Sequence, residues 1–129
     1  MSPEAFPPGS PADWLRHADS DLALARSTAT PKVLLEDLCF HAQQAAENAL
    51  KAVLLAKDIS LPRTHSIRML LDLLPENLDV PEKVEGAAAL TEYAVTSRYP
   101  SAAEPVDEEE HLESVALAEA VLSWARAIV

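Results

Sequence analysis

Apolar and polar residues alternate with the period of an α-helix in five segments of the chain, and most prolines lie between these segments. The pattern predicts a first helix over residues 11–27. Ser10 suits its N-cap and Pro11 its first turn, because the serine hydroxyl can accept a backbone N–H bond and no donor is needed at the next position. The predicted buried stripe consists of Trp14, Leu15, Ala18, Leu22 and Ala25.

The second segment, residues 32–57, is the longest and predicts a central helix. Its apolar stripe is rich in alanine and consists of Leu35, Leu38, Ala42, Ala45, Ala46, Ala49, Val53 and Ala56. Small side chains let two helix axes approach closely, which favours tight packing around this helix. Its polar face consists of His41, Gln44, Asn48 and Lys51, with Glu47 at the border. Such a face suits ligand binding, but it also suits the solvated side of an amphipathic helix.

Three further helices are predicted. A short one begins at Thr64, a fourth runs over residues 81–98, and the last begins at Asp107. Asp107 and Glu110 have the spacing of a capping box. The last helix has two adjacent apolar stripes, which consist of Leu112, Val115, Ala118, Leu122, Ala125 and Val129, and of Leu117, Val121, Trp124 and Ile128.

These segments predict an all-α fold, an antiparallel up-and-down four-helix bundle plus one short helix. Residues 1–9 are predicted to be a flexible N-terminal arm, and residues 10–129 one helical domain. A helix that is apolar over so wide an arc either lies centrally in the bundle or meets a second subunit, and the wide apolar faces of the bundle predict a homodimer.

Composition narrows the possible functions. The chain has 129 residues and a formal net charge of −11, which argues against bulk nucleic-acid binding because phosphates require a basic surface. Its single cysteine excludes an internal disulfide. Apolar runs are too short for a membrane span, and the N-terminus lacks the pattern of a signal peptide. The sequence therefore predicts a cytoplasmic protein with no membrane association and no cofactor.

Arg63, His65 and Arg68 surround the start of the short helix. Free backbone N–H groups at a helix start, together with guanidinium groups, suit a phosphate. In the structural alternative, His65 caps the short helix or bonds to a neighbouring helix, and both arginines pair with carboxylates.

Arg98 and Tyr99 stand at the end of the fourth helix, before Pro100. Taken alone, they favour a structural interpretation, since an arginine in a last turn interacts well with the helix dipole. The sequence contains no nucleophile elbow and no phosphate-binding glycine loop. No two histidines lie one helical turn apart, so no catalytic residue and no metal site is predicted.

The stretches "FHAQQAAENALKAVLLAKD", "PRTHSIRMLLDLL" and "LTEYAVTSRYP", followed by an acidic-capped helix, resemble the HEPN domain family over residues 12–129. The resemblance implies an antiparallel helical bundle, often dimeric, with a nucleotide- or RNA-related role. It also implies a separately encoded minimal nucleotidyltransferase as partner, in a toxin–antitoxin type of pair. The residues that it carries over as a nucleotide-binding set are Glu47, Lys51, His65, Arg98, Tyr99 and Pro100, and Arg63 is added as a neighbouring candidate.

The chain departs from the family's ribonuclease pattern. Active members place a histidine four to six residues beyond an arginine, but after Arg98 those positions hold Ala103, Glu104 and Pro105. Nuclease activity is therefore not transferred. Three interpretations stay open: a homodimeric binding module, a metal-independent ribonuclease with a non-standard pair such as Arg98 and His65, and a purely structural dimerisation domain.

Overall fold

A computed structural model describes residues 6–28, 30–95 and 105–129. Within these residues the elements are α1 (Pro11–Ala25), α2 (Leu35–Ala56), α3 (Ile67–Asp72), α4 (Glu82–Gly86), a 3₁₀ helix (Ala87–Thr91), α5 (Glu92–Val95) and α6 (Glu108–Ile128). The described part of the chain contains one isolated β-bridge, between Thr30 and Val33, and otherwise helices and loops. The predicted all-α class is confirmed.

The start of α1 follows the prediction. Ser10 Oγ accepts a hydrogen bond from Asp13 N at 3.1 Å, and Pro11 occupies the first turn. The Asp13 carboxylate in turn accepts a hydrogen bond from Gly9 N at 3.0 Å, which fastens the preceding residues to the helix. This bond, and then the hydrogen bond from Arg16, lower the pKa of Asp13 below its ordinary value.

The central helix α2 starts three residues later than predicted. Thr30 and Val33 exchange two backbone hydrogen bonds, of 3.2 and 3.0 Å, so the chain is still in a tight turn there. Beyond this turn Ala42, Ala46 and Ala49 of the alanine stripe are fully buried, as expected, whereas Ala56 at the end of the stripe is exposed. Both α1 and α6 pack along α2, which is the centre of the bundle.

The predicted fourth helix is not one continuous α-helix. It consists of α4, the 3₁₀ helix and α5 in direct succession, and residues 96–98 of the prediction lie outside the described residues. The α-helical stretch ends at Gly86, a poor helix former. The Cβ position of Gly86 lies 3.5 Å from Leu117 Cδ2, so this segment approaches α6 closely.

Three contacts show that α4, the 3₁₀ helix and α5 run antiparallel to α6. Trp124 Nε1 donates to Asp79 O at 3.0 Å, Gly86 faces Leu117, and the Tyr93 hydroxyl donates to Glu110 Oε2. From Asp79 to Gly86 to Tyr93 the chain advances by seven residues each time. Their partners on α6, Trp124, Leu117 and Glu110, go back by seven residues each time. The resulting bundle runs up and down, with α3 in the connection between α2 and α4, as predicted.

The inner face of α6 differs from the prediction at its first turn. Leu112, the first residue of one predicted apolar stripe, is 66% exposed in the single chain, whereas His111 is buried. His111 Nε2 donates a 2.6 Å hydrogen bond to Ala25 O, a carbonyl in the last turn of α1 that has no partner within its own helix. Satisfying this carbonyl turns His111 inward and Leu112 outward. In the described residues, no helix is both long and apolar enough to cross a membrane.

Candidate functional site

The Glu47 carboxylate is the centre of a buried polar cluster between α2 and the loop before α3. Its Oε1 accepts hydrogen bonds from Gln43 Nε2 at 2.9 Å and from His65 Nδ1 at 3.1 Å. Its Oε2 accepts from Lys51 Nζ at 2.8 Å. Glu47 is only 2% exposed, so burial of its charge requires these partners. We refer to Gln43, Glu47, Lys51 and His65 as the Glu47 cluster.

His65 is the exposed member of the Glu47 cluster. Its side chain is 72% exposed, while its Nδ1 is turned inward to Glu47. Gln43 Nε2 also lies 3.4 Å from His65 O and helps to fix the loop. Because a carboxylate accepts hydrogen bonds, Nδ1 carries the proton, and Nε2 has no partner among the described residues. An oriented imidazole is thereby presented at the surface.

The two arginines near His65 differ in role. Arg68 pairs with Asp72 on its own helix at 3.1 Å and with Glu85 on α4 at 2.8 Å, which is the structural alternative stated above. The bond with Glu85 is the main reason that the pKa of Arg68 is raised. Arg63 is exposed, and it forms no ion pair with any residue that the structure describes. Arg63 therefore remains the candidate anion ligand on this loop.

The short helix begins later than predicted. The N-cap is Ser66 and not Thr64, and Ser66 Oγ accepts from Met69 N at 3.2 Å. Ile67 N donates to Thr91 Oγ1 at 2.9 Å. These N–H groups are therefore already bonded, and an anion near His65 would be met by side chains.

The polar face predicted on α2 lines the groove between α1 and α2. Asp21 of α1 accepts from His41 Nδ1 at 3.1 Å and from Asn48 Nδ2 at 3.0 Å. Lys51 Nζ lies 5.3 Å from the centre of the Trp14 ring, within the range of a cation–π contact. The polar face of α2 therefore contacts α1 and is not simply a solvated surface.

A pocket of about 270 Å³ opens in the same groove, and its lining consists of Gly9, Asp13, Trp14, His17 and Asn48. Gly9 adopts φ +77°, a left-handed conformation that favours glycine. Lys51 connects this pocket to the Glu47 cluster, since it contacts both Trp14 and Glu47.

The structure thus brings Glu47, Lys51 and His65 into direct contact, with Arg63 two residues before His65 on the same loop. The predicted ligands Arg98 and Tyr99, and Pro100 beside them, lie outside the described residues. Their membership of this site stays a prediction.

Sequence reasoning missed Gln43 and Asp21. Gln43 precedes Glu47 by four residues, a helical spacing that could have suggested the bond. Asp21 had no local signal, because its partners lie 20 and 27 residues away on α2.

The Tyr93 hydroxyl and the Cys39 thiol are two further groups that could act as nucleophiles, but their surroundings disfavour the ionised forms. Burial, and then the hydrogen bond to Glu110, raise the pKa of Tyr93 well above its ordinary range. Burial also raises the pKa of the Cys39 thiol. Neither is a ready nucleophile at neutral pH. Within the described ranges, no three His, Cys, Asp or Glu side chains come together as a metal site requires.

Comparison with known proteins gives the relationship of the chain. TT1696 from Thermus thermophilus has 36% sequence identity and a TM-score of 0.82, and the match covers 94% of this chain and 99% of that chain. ST0689, an archaeal HEPN homologue, has 30% identity and a TM-score of 0.73, covering 92% of this chain and 96% of the other. A search of curated proteins gives no match. The HEPN domain model matches residues 11–128, and the chain belongs to the HEPN domain family.

Proposed function

We propose that the protein is a homodimeric binding module of the HEPN family that binds a nucleotide through its phosphates at the Glu47 cluster. The observation that carries the proposal is the exposed His65 imidazole, held at Nδ1 by buried Glu47 while its Nε2 is turned away from that bond. The proposal includes a separately encoded minimal nucleotidyltransferase as partner, which rests on family membership.

Charge at the cluster supports an anionic ligand. Lys51 offsets the charge of Glu47, so the exposed guanidinium of Arg63 adds a local positive charge to a chain of net −11. Arg63 can donate hydrogen bonds to a phosphate oxygen, and so can His65 Nε2 in the imidazolium form, in which both ring nitrogens carry a proton. We place Arg98 and Tyr99 in the same proposed site on the strength of the family resemblance.

Calorimetry with ATP tests the nucleotide site. Wild type is expected to bind, and Arg63→Ala and His65→Gln are each expected to weaken binding about tenfold, as for loss of one charge-assisted hydrogen bond. Arg68→Ala is the matched control, because Arg68 lies on the same stretch but is engaged by Asp72 and Glu85.

Two results would contradict the nucleotide site: absence of ATP binding by folded wild type, or equal losses in Arg63→Ala and Arg68→Ala.

The second candidate, a metal-independent ribonuclease, is favoured by one observation only, that Glu47 orients His65 as a general acid–base pair requires. It predicts RNA cleavage by wild type that disappears in His65→Gln, whereas the binding module predicts no cleavage.

Exposed apolar side chains support the homodimer. Leu112 of α6 and Leu34 beside α2 are large and mostly solvent-exposed in the single chain, and a second chain would bury them if it packed over these positions. Light scattering at micromolar concentration is expected to give the mass of two chains. Leu112→Glu should shift the mass toward one chain, and Ala56→Glu, at an exposed position on α2, should not. A monomeric wild type would contradict the dimer.

A further inference from the structure

The pocket between α1 and α2 has walls of two kinds. Trp14 supplies an aromatic surface, and Asp13, His17 and Asn48 supply polar groups. The polar cluster described above does not use this pocket, although the two adjoin through Lys51. Its volume of about 270 Å³ lies just below the range of roughly 300–1,000 Å³ typical of sites for drug-sized ligands. It therefore suits a ring system and not a whole nucleoside triphosphate.

Two of the polar groups at the pocket, the Asn48 amide and the Asp13 carboxylate, offer acceptor oxygens. Asn48 donates one amide N–H to Asp21 Oδ2 at 3.0 Å, which fixes the amide and leaves its carbonyl oxygen without a partner among the described residues. Asp21 is itself fixed by His41, so the orientation of Asn48 is supported from a second residue. The Asp13 carboxylate adds two further acceptor oxygens, kept ionised by Gly9 N and Arg16.

We infer that this pocket binds a planar, amino-bearing nitrogen ring, namely the base of the nucleotide whose phosphates the proposed function places at the Glu47 cluster. The ring stacks on Trp14, and its amino group donates to the Asn48 carbonyl oxygen or the Asp13 carboxylate. Adenine and cytosine carry such an amino group. Uracil carries a carbonyl oxygen in the corresponding place, which would face the Asp13 carboxylate and be repelled. This inference rests on the proposed function and adds the identity of the base to it.

Fluorescence of Trp14 gives a direct test. The chain has two tryptophans, so Trp124→Phe leaves Trp14 as the single reporter. Adenosine and cytidine are expected to quench its emission, and uridine should bind at least about tenfold more weakly, as for loss of one hydrogen bond. If Trp124→Phe does not fold, quenching in wild type that is absent from Trp14→Phe provides the same information.

Asn48→Ala and His41→Ala form a matched pair of variants. Both remove a hydrogen bond to Asp21, but only Asn48 lines the pocket. Asn48→Ala is expected to weaken adenosine binding about tenfold, and His41→Ala by no more than about twofold. Equal effects of the two variants, equal quenching by uridine, or no quenching by any nucleoside would overturn the inference.

The two proposed parts of the site can fail separately. If adenosine quenches Trp14 emission but neither Arg63→Ala nor competing pyrophosphate weakens ATP binding, the base pocket is supported and the phosphate site is contradicted. ATP binding that depends on His65 but shows no preference among bases, and leaves Trp14 emission unchanged, would support the phosphate site and overturn the base pocket.

Discussion

Replacing Glu47 by alanine is expected to lower the free energy of unfolding by about 3–5 kcal/mol, the usual loss when one partner of a buried ion pair is removed. The Lys51 ammonium would lose the carboxylate 2.8 Å away while its side chain remains only 12% exposed. Gln43 would lose its main acceptor as well. Urea denaturation followed by circular dichroism at 222 nm measures the change.

Glu119→Ala is the surface control for this prediction. Glu119 also pairs with a basic side chain, Arg26, at 2.9 Å, but the two side chains are 44% and 53% exposed. A pair of this kind contributes about 0–1 kcal/mol, because water screens it and solvates either partner alone. Similar losses for Glu47→Ala and Glu119→Ala would show that burial of the Glu47 carboxylate has no energetic consequence.

The double variant Glu47→Ala/Lys51→Met separates an unpaired charge from lost packing. It should be less destabilised than Glu47→Ala alone, because no ammonium is then left without its partner. An apolar pair is often as stable as a buried ion pair of similar size, so stability alone does not account for the ion pair between Glu47 and Lys51. The Glu47 carboxylate also orients His65 at the surface, a role that an apolar side chain would not fill.

Periodicity was sufficient to predict the order of the helical segments and the central position of α2, but not the division of the fourth segment into α4, a 3₁₀ helix and α5. Ser10 and Asp107 were predicted as N-caps from residue type and spacing, and both accept the expected backbone hydrogen bond. The capping box is incomplete, because the Glu110 carboxylate accepts from Tyr93 across the bundle. Local patterns predict local bonds, and a tertiary partner displaced one of them.

The candidate site depended on pairing between distant segments. Glu47 and His65 are 18 residues apart, and no spacing rule connects a helix residue to a loop residue at that separation. The family resemblance supplied both residues, but Gln43 and Asp21 became visible only with the antiparallel packing of α1 and α2. The polar face of α2, for which the sequence suggested a solvated or a ligand-binding role, largely forms contacts with α1.

Leu22→Ala should destabilise the protein by about 2–5 kcal/mol, the range for large-to-small changes in a core. Leu22 was predicted in the apolar stripe of α1 and is 2% exposed. Leu24→Ala is the matched control, since Leu24 lies on the same helix, two residues away, and is 46% exposed. It should cost about 1 kcal/mol or less. Helix propensity changes equally in both variants, so their difference reports burial alone.

The same comparison examines how α1 is held in the bundle. His111 bonds the last turn of α1, and Asp21 joins its middle to α2, but each such bond contributes only about 1 kcal/mol. If these polar contacts held α1 in place, Leu22→Ala and Leu24→Ala would differ little in urea denaturation. A large difference that does not depend on protein concentration would mean that apolar burial, more than these polar bonds, holds α1 in the bundle.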